Sequence, residues 1–195
     1  MLDLDQSASR KELLHAGAVA MGFAVLQPEM SRQQFIAAMR SVACSVSVVT
    51  TNGHAGRHGA TVSAFASVSA DPPSVLVCLR ADSRVARMVM SNRLFCLNVL
   101  GQSARAVAER FAGRDDGKMG DRFAGIDSAE TPGGQPALEG ATAFCCRIEQ
   151  AVPSGSHLVI IGRVSSIHEQ AIEPLTYMQG GFHRVIPQNI MENAE

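Results

Sequence analysis

Hydroxyl and small apolar side chains alternate along Thr61-Val62-Ser63-Ala64-Phe65-Ala66-Ser67-Val68-Ser69. On a strand, Thr61, Ser63, Phe65, Ser67 and Ser69 share one face, and Val62, Ala64, Ala66 and Val68 share the other. Hydroxyls beside exposed backbone suit a flat ligand that is polar at its rim and phosphorylated. An ordinary half-buried strand with a Ser/Thr outer face has the same pattern, so the alternation alone leaves both readings open. Arg80, Arg84 and Arg87 gather around a helix start capped by Ser83. A hydroxyl, free N–H groups and guanidinium ions there make either an anion site or a solvated basic face. His157 opens an apolar strand after Gly155-Ser156, where a lone histidine is either structural or faces a ligand.

Other patterns exclude chemistry. Gly53-His54-Ala55-Gly56-Arg57-His58-Gly59 has the wrong spacing for a dinucleotide fingerprint, and a strand follows it in place of a helix. Neither GxxxxGK[ST] nor HExxH occurs. His54 and His58 stand in that turn and read as two solvated histidines, with a loop metal site as the alternative. The five cysteines (Cys44, Cys78, Cys96, Cys145 and Cys146) are odd in number and lack CxxC spacing. Cys78, Cys96 and Cys145 sit in apolar, strand-like runs and read as small buried hydrophobes in a reducing compartment, with no metal set.

The totals narrow the classes further. The 195 residues are 46% hydrophobic and 18% charged, enough for one sizeable domain with an appendage. A net charge of −1, no Trp and one Tyr argue against nucleic acid as a partner. No apolar run is long enough to span a membrane. The acidic start, Asp3 and Asp5, lacks the basic region of a secretory signal, which points to the cytoplasm.

The elements that must position these residues follow from periodicity. Residues 1–30 read as an N-terminal arm, partly helical from a Ser9 cap or disordered, and 31–195 as the domain. Ser31 caps a helix with Phe35, Met39 and Val42 on one face, and Val46–Thr51 is a β-branched strand. Asp71-Pro72-Pro73 stops the Thr61–Ser69 strand, and the apolar strand Ser74–Leu79 pairs with it. Ser83 starts a helix to about Asn92 with Val85, Met88 and Val89 inward. Leu94–Leu100 is a strand, and Gln102–Phe111 a helix with Ala106, Val107 and Phe111 as its buried stripe. Residues 113–140 form a long surface excursion. Ala143–Val152, His157–Glu169 and Phe182–Ile186 close a mostly β fold, a β-barrel with helical insertions.

In this order the chain resembles the flavin reductase family with the FMN-binding split-barrel fold, the small reductase partners of two-component flavin monooxygenases, together with corrinoid reductases. The resemblance rests on Phe35 to Ala43, Val48 to Thr51, Thr61 to Ser69, Asp71 to Leu79, Phe95 to Leu100, Arg110 to Gly113, Lys118 to Phe123 and Gly155 to Gly162. It implies a homodimer of six-stranded antiparallel Greek-key barrels that passes hydride from NADH or NADPH to FMN or FAD. The reduced flavin would serve a partner monooxygenase, or the electrons would pass to another acceptor such as a corrinoid. A non-catalytic flavin-binding protein is the other alternative.

By position, Thr61, Val62, Ser63 and Ala64 would meet the isoalloxazine rim, and Ser67, Val68 and Ser69 the ribityl chain and phosphate. Cys78, Leu79, Arg80 and Ser83 would complete the pocket, Phe111 and Ala112 would wall it, and Lys118 and Phe123 would approach it. His157 would stand where the nicotinamide docks. Three departures stand out. Arg80 replaces a common Asn, Ser156 replaces the acid of a Gly-Asp-His pattern, and Cys44-Ser45 replaces Thr-Gly.

Overall fold

The computed structural model describes residues 30–117 and 120–188. The chain divides into two compact units at Met39 and Arg40. In the first, α1 (Arg32–Met39) begins as expected at Ser31. The Gln34 amide donates to Ser31 Oγ at 3.2 Å and the Ser31 amide to Gln34 Oε1 at 2.9 Å, a reciprocal cap. α1 ends before Val42 and buries none of its residues. The expected arm up to residue 29 lies outside the described residues.

The second unit is built on strands: β1 (Cys44–Ser45), β2 (Ser47–Thr51), β3 (His58–Val62), β4 (Phe65–Ala70), β5 (Pro73–Arg80), then α2 (Arg84–Asn92) and β6 (Leu94–Leu100). A 3-10 turn (Gln102–Ala104) leads into α3 (Arg105–Phe111). There follow β7 (Ser128–Ala129), β8 (Ala137–Leu138), β9 (Ala141–Ser154), β10 (His157–His168), β11 (Thr176–Met178) and β12 (Gly181–His183). Seven strands form one antiparallel sheet in the order β3-β2-β6-β9-β10-β5-β4. A three-stranded sheet, β1-β11-β12, stands beside it.

The expected single strand Thr61–Ser69 is two strands broken at Ser63-Ala64, because the chain changes partner there. Thr61 and Val62 pair with Val48 and Ser47 of β2, whereas Phe65 to Ala70 pair with β5. The Cys78 amide donates to Ala64 O at 2.9 Å, so β5 bonds to the corner itself. The two edge strands of the sheet are thus joined by one corner, and the sheet closes on itself. Counted as one bent strand, β3 and β4 make the barrel six-stranded. The strict alternation also fails: a register shift falls between Ser67 and Ser69, and Val68 is 46% exposed. β3 begins at His58, two residues inside the expected turn.

Two apolar clusters sit on opposite faces of β2. Val49 packs with Val77, Leu79, Phe95, Leu97, Ile148 and Ile160, and Val48 packs with Val46, Leu100, Ala108, Phe111 and Leu138. Consecutive residues of a strand face opposite ways, so all five residues of β2 are buried. α2 closes the first cluster with Val85, Ala86 and Val89, and Met88 is buried too, as its spacing predicts. Gly162 lies against Phe95; a Cβ there would come within 2.6 Å of the ring.

In α3 the buried residues are Ala108 and Phe111, and Ala106 is exposed, because the opening 3-10 turn advances the phase of the stripe. Residues 113–140 are less superficial than expected: Gln135 to Leu138 are buried. Asn98 fastens them, accepting from the Leu138 amide at 2.8 Å while donating to Val48 O at 3.0 Å. The last strand is Gly181–His183, not Phe182–Ile186.

Candidate functional site

The β3 strand that leads into the corner borders two clefts. One, about 450 Å³, is lined by Thr61, Arg80, Ser83, Arg84, Phe111 and Ala112, together with His58 and Arg122. The other, about 500 Å³, is lined by Thr61, Val62, Ser63, Ala112, Tyr177 and Phe182, with Arg105, Glu109 and Arg114 at its charged side. They share Thr61 and Ala112. Their sizes fall in the range of roughly 300–1,000 Å³ typical of small-molecule sites.

The first cleft is cationic. Ser83 caps α2: its Oγ accepts from the Ala86 amide at 3.2 Å and donates to Arg80 O at 2.6 Å. This leaves a helix start facing the cleft with a fixed geometry. Arg80 is tied to Asp82 by two hydrogen bonds, 3.1 and 2.7 Å, which hold the Asp82 carboxyl below its ordinary range. Arg87 donates to Asp82 O at 2.7 Å. Arg84 makes no hydrogen bond or ion pair with a described residue, so it is the guanidinium left for an anion.

Arg122 ties the cleft wall together. It donates to Gly59 O at 2.9 Å and Phe111 O at 2.8 Å and pairs with Asp116 at 2.5 Å. Gly59 allows this closeness: a Cβ there would meet the Phe111 ring at 2.7 Å. His58 was expected to be solvated, but it is half-buried beside these cations. Burial first, then the charges of Arg122 and Arg84, push its pKa down to about 4, with Asp116 and Asp121 opposing. It is neutral near pH 7. His54 bonds instead to Ser91 Oγ at 3.0 Å. The described residues contain no group of three or more His, Cys, Asp or Glu placed to hold a metal ion.

The second cleft is aromatic and nearly charge-balanced. Tyr177 and Phe182 meet edge to face, their ring centres 5.3 Å apart, and the Arg105 guanidinium lies over Phe182 at 5.2 Å. Glu109 bonds both Arg105 (3.0 Å) and Arg114 (2.9 Å).

The remaining site residues expected from the sequence are placed as follows. The Thr61 hydroxyl donates to Ala108 O at 2.7 Å, so its proton holds α3. Ser63 and Ala64 are exposed at the corner. Ser67, Val68 and Ser69 lie on β4 and line neither cleft; Ser69 Oγ serves the Asp71 turn, accepting from its amide at 3.1 Å. Cys78 holds the corner through its amide, and Leu79 is buried in the core. Phe123 backs Phe111 edge to face at 4.9 Å, with the Arg57 guanidinium over its outer side at 4.5 Å. Lys118 lies outside the described residues. His157 is exposed and stands opposite Arg80 in the β5–β10 register. Ser156 Oγ is 3.0 Å from His157 Nδ1, so a hydroxyl orients this ring. His58, Arg122, Tyr177 and Phe182 are lining residues that sequence reasoning missed. Arg84 stood in the arginine cluster, but nothing set it apart from its two neighbours.

A profile described as the flavin reductase like domain matches residues 39–185. The reductase component of 4-hydroxyphenylacetate 3-monooxygenase from Salmonella typhimurium is 38% identical over 162 residues, covering 82% of this chain and 95% of that one. An FMN reductase (NADH), RutF, from Ancylobacter novellus is 38% identical and covers 81% and 87%. Among solved structures, the NADH:FAD oxidoreductase SgcE6 of Streptomyces globisporus C-1027, in complex with NAD and FAD fragments, superposes with a TM-score of 0.74 at 27% identity, covering 85% and 98%.

Proposed function

The chain belongs to the flavin reductase like family, and from that premise we propose that it passes hydride from NAD(P)H to free FMN or FAD and releases the reduced flavin to a partner monooxygenase. The observation that carries this reading is the pair of clefts meeting at Thr61 and Ala112, one with a capped helix start and an Arg84 that has no ion-pair partner among the described residues, the other with aromatic walls. A flavin phosphate needs the first and a flat ring the second, so the residues present fit the ligand.

The hydride goes from nicotinamide C4 to flavin N5, chemistry that belongs to the two ligands. The protein binds, orients and excludes water. Arg84, Ser83 and the first amides of α2 hold the phosphate. The corner backbone at Ser63-Ala64 meets the ring rim, while Thr61 serves through its backbone because its hydroxyl proton is committed to Ala108 O. Phe111, held by Phe123 and Arg122, walls the phosphate cleft. His157, oriented by Ser156, offers Nε2 to the nicotinamide amide beside the end of β5.

We further place the working domain at residues 31–195, with 1–30 as an appended arm, and assign it a homodimeric state. Exposed apolar side chains on β4, β9, β10 and β11 (Val68, Val152, Ile167 and Tyr177) support an interface between copies. No helix of the described residues is long and apolar enough to cross a membrane. Five unpaired thiols support a cytoplasmic location. The test is NAD(P)H oxidation by purified protein with FMN or FAD added. Turnover is expected with at least one pair, and none with any pair refutes the reading. Light scattering on the eluted peak checks the dimer.

A further inference from the structure

The clefts leave one set of reactive groups without a role. Cys96 of β6 and Cys145 of β9 are directly opposite in the strand register, and their sulfurs are 3.5 Å apart. Cys146 faces the other way, into the cluster around Val49 and Phe95, so it cannot reach this pair. Residues opposed in an antiparallel ladder have Cα atoms about 4.5–5.5 Å apart, inside the span of roughly 4.4–6.8 Å that a disulfide bridges. Only the side chains would have to close. We propose that Cys96 and Cys145 are a peroxide-responsive thiol pair that forms a reversible cross-strand disulfide.

The source of the oxidant rests on the reductase reading: reduced flavin released into air reduces dioxygen to hydrogen peroxide. The Cys145 thiolate attacks one peroxide oxygen, giving a sulfenic acid and hydroxide. The Cys96 sulfur then attacks Cys145 sulfur, a disulfide forms, and the sulfenic oxygen leaves as water with the Cys96 proton. The net change is two thiols and one hydrogen peroxide to one disulfide and two waters. Cys145 is the better attacking group. The hydrogen bond from Cys96 lowers its pKa, with Ser166, His168 and Thr131 adding to this against burial, while the Cys96 thiol is held far above its ordinary range.

The pair is buried at 0% and 1% exposure, beneath a segment tied down by Thr50 Oγ1 to Pro136 O at 2.6 Å and by the Leu138 amide to Asn98 Oδ1 at 2.8 Å. Ala137 of β8, a two-residue strand paired only with the two-residue β7, belongs to the same buried cluster. Local opening of this short hairpin, with release of those two hydrogen bonds, admits a molecule as small as hydrogen peroxide while the barrel stays folded.

The test exposes the reduced full chain to a few equivalents of hydrogen peroxide, then applies acid quench, alkylation and tryptic digestion without reduction. Cleavage at Arg93 and Arg105 isolates Cys96, and cleavage at Arg122 and Arg147 isolates Cys145 with Cys146. The expected product is these two peptides joined, lighter by two hydrogens and separated by dithiothreitol. The link should persist in Cys146→Ala and vanish in Cys145→Ala, a variant that keeps its reductase activity because position 145 lines neither cleft. Freely alkylated Cys96 and Cys145, or a link that survives Cys145→Ala, overturns the proposal. A second arm turns over NADH with excess flavin in air, where catalase should suppress the link. NADH consumption without a link overturns the supply of oxidant by turnover. No NADH consumption overturns the reductase reading, and the direct peroxide arm still decides the thiol pair.

Discussion

Replacing His58 with Gln should remove one identifiable part of the protein's pH dependence. The folded pKa is about 4, below the ordinary 6.5, so the unfolded chain takes up the proton first. Stability from this site is fully present above pH 6.5, falls as the pH drops toward 4, and levels off below that. A shift of that size is worth about 3 kcal/mol in full, and screening at a half-buried ring reduces it to about 1–2 kcal/mol. The groups facing the ring are Arg122, Arg84, Asp116 and Asp121. Both aspartates have lowered pKa values, Asp116 through Arg122 and Asp121 chiefly through the Phe123 amide, so their own losses come at lower pH. Urea unfolding of wild type and His58→Gln from about pH 7.5 to about pH 4.5 separates the contributions. Wild type should lose about 1–2 kcal/mol more than the variant across that window. Equal losses in the two proteins would refute the assignment. Saturating FMN should flatten the wild-type curve, since a phosphate beside the ring favours its protonated form.

Other substitutions test other parts. Ser83→Ala removes the cap of α2 and should cost about 1 kcal/mol in chemical denaturation, together with weaker FMN binding by fluorescence quenching. Arg84→Ala should weaken FMN roughly tenfold or more but leave riboflavin, which lacks the phosphate, nearly unchanged in the same titration. Gly162→Ala drives a methyl group into the Phe95 ring and should lower stability by about 1–3 kcal/mol in urea unfolding, with flavin affinity retained by the folded fraction. His157→Ala should reduce kcat/KM for the nicotinamide more than it raises the flavin Kd, and equal losses in both would make the ring structural.

What was legible beforehand was local. Ser83 followed by Val85, Met88 and Val89 states both a cap and a helical period, and α2 begins and packs accordingly. Leu94–Leu100 is apolar except for the hydrogen-bonded Asn98, as suits a strand buried between β2 and β9. The break at Ser63-Ala64 was not legible, because it arises where the chain leaves β2 for β5, and nothing in nine alternating residues records which strand lies alongside. His58 was missed for a similar reason: its pKa is lowered first by burial in the fold and then by Arg122 and Arg84, all set by residues remote in the chain. Arg80 lines the first cleft, but its guanidinium is bonded to Asp82, two residues on, a pairing that the arginine cluster alone did not distinguish from Arg84.

The corner at Ser63-Ala64 is also the seam at which the sheet becomes a barrel, through the amide of Cys78 bonded to Ala64 O. A ligand resting on that corner would act as a keystone, and separation of the seam would require its departure. The exchange of the Cys78 amide with deuterated solvent should therefore slow in proportion to flavin occupancy, while amides of β6 and β9, central in the sheet, exchange only with global unfolding. One backbone proton would then report, in the native protein and without a label, how often the site is filled.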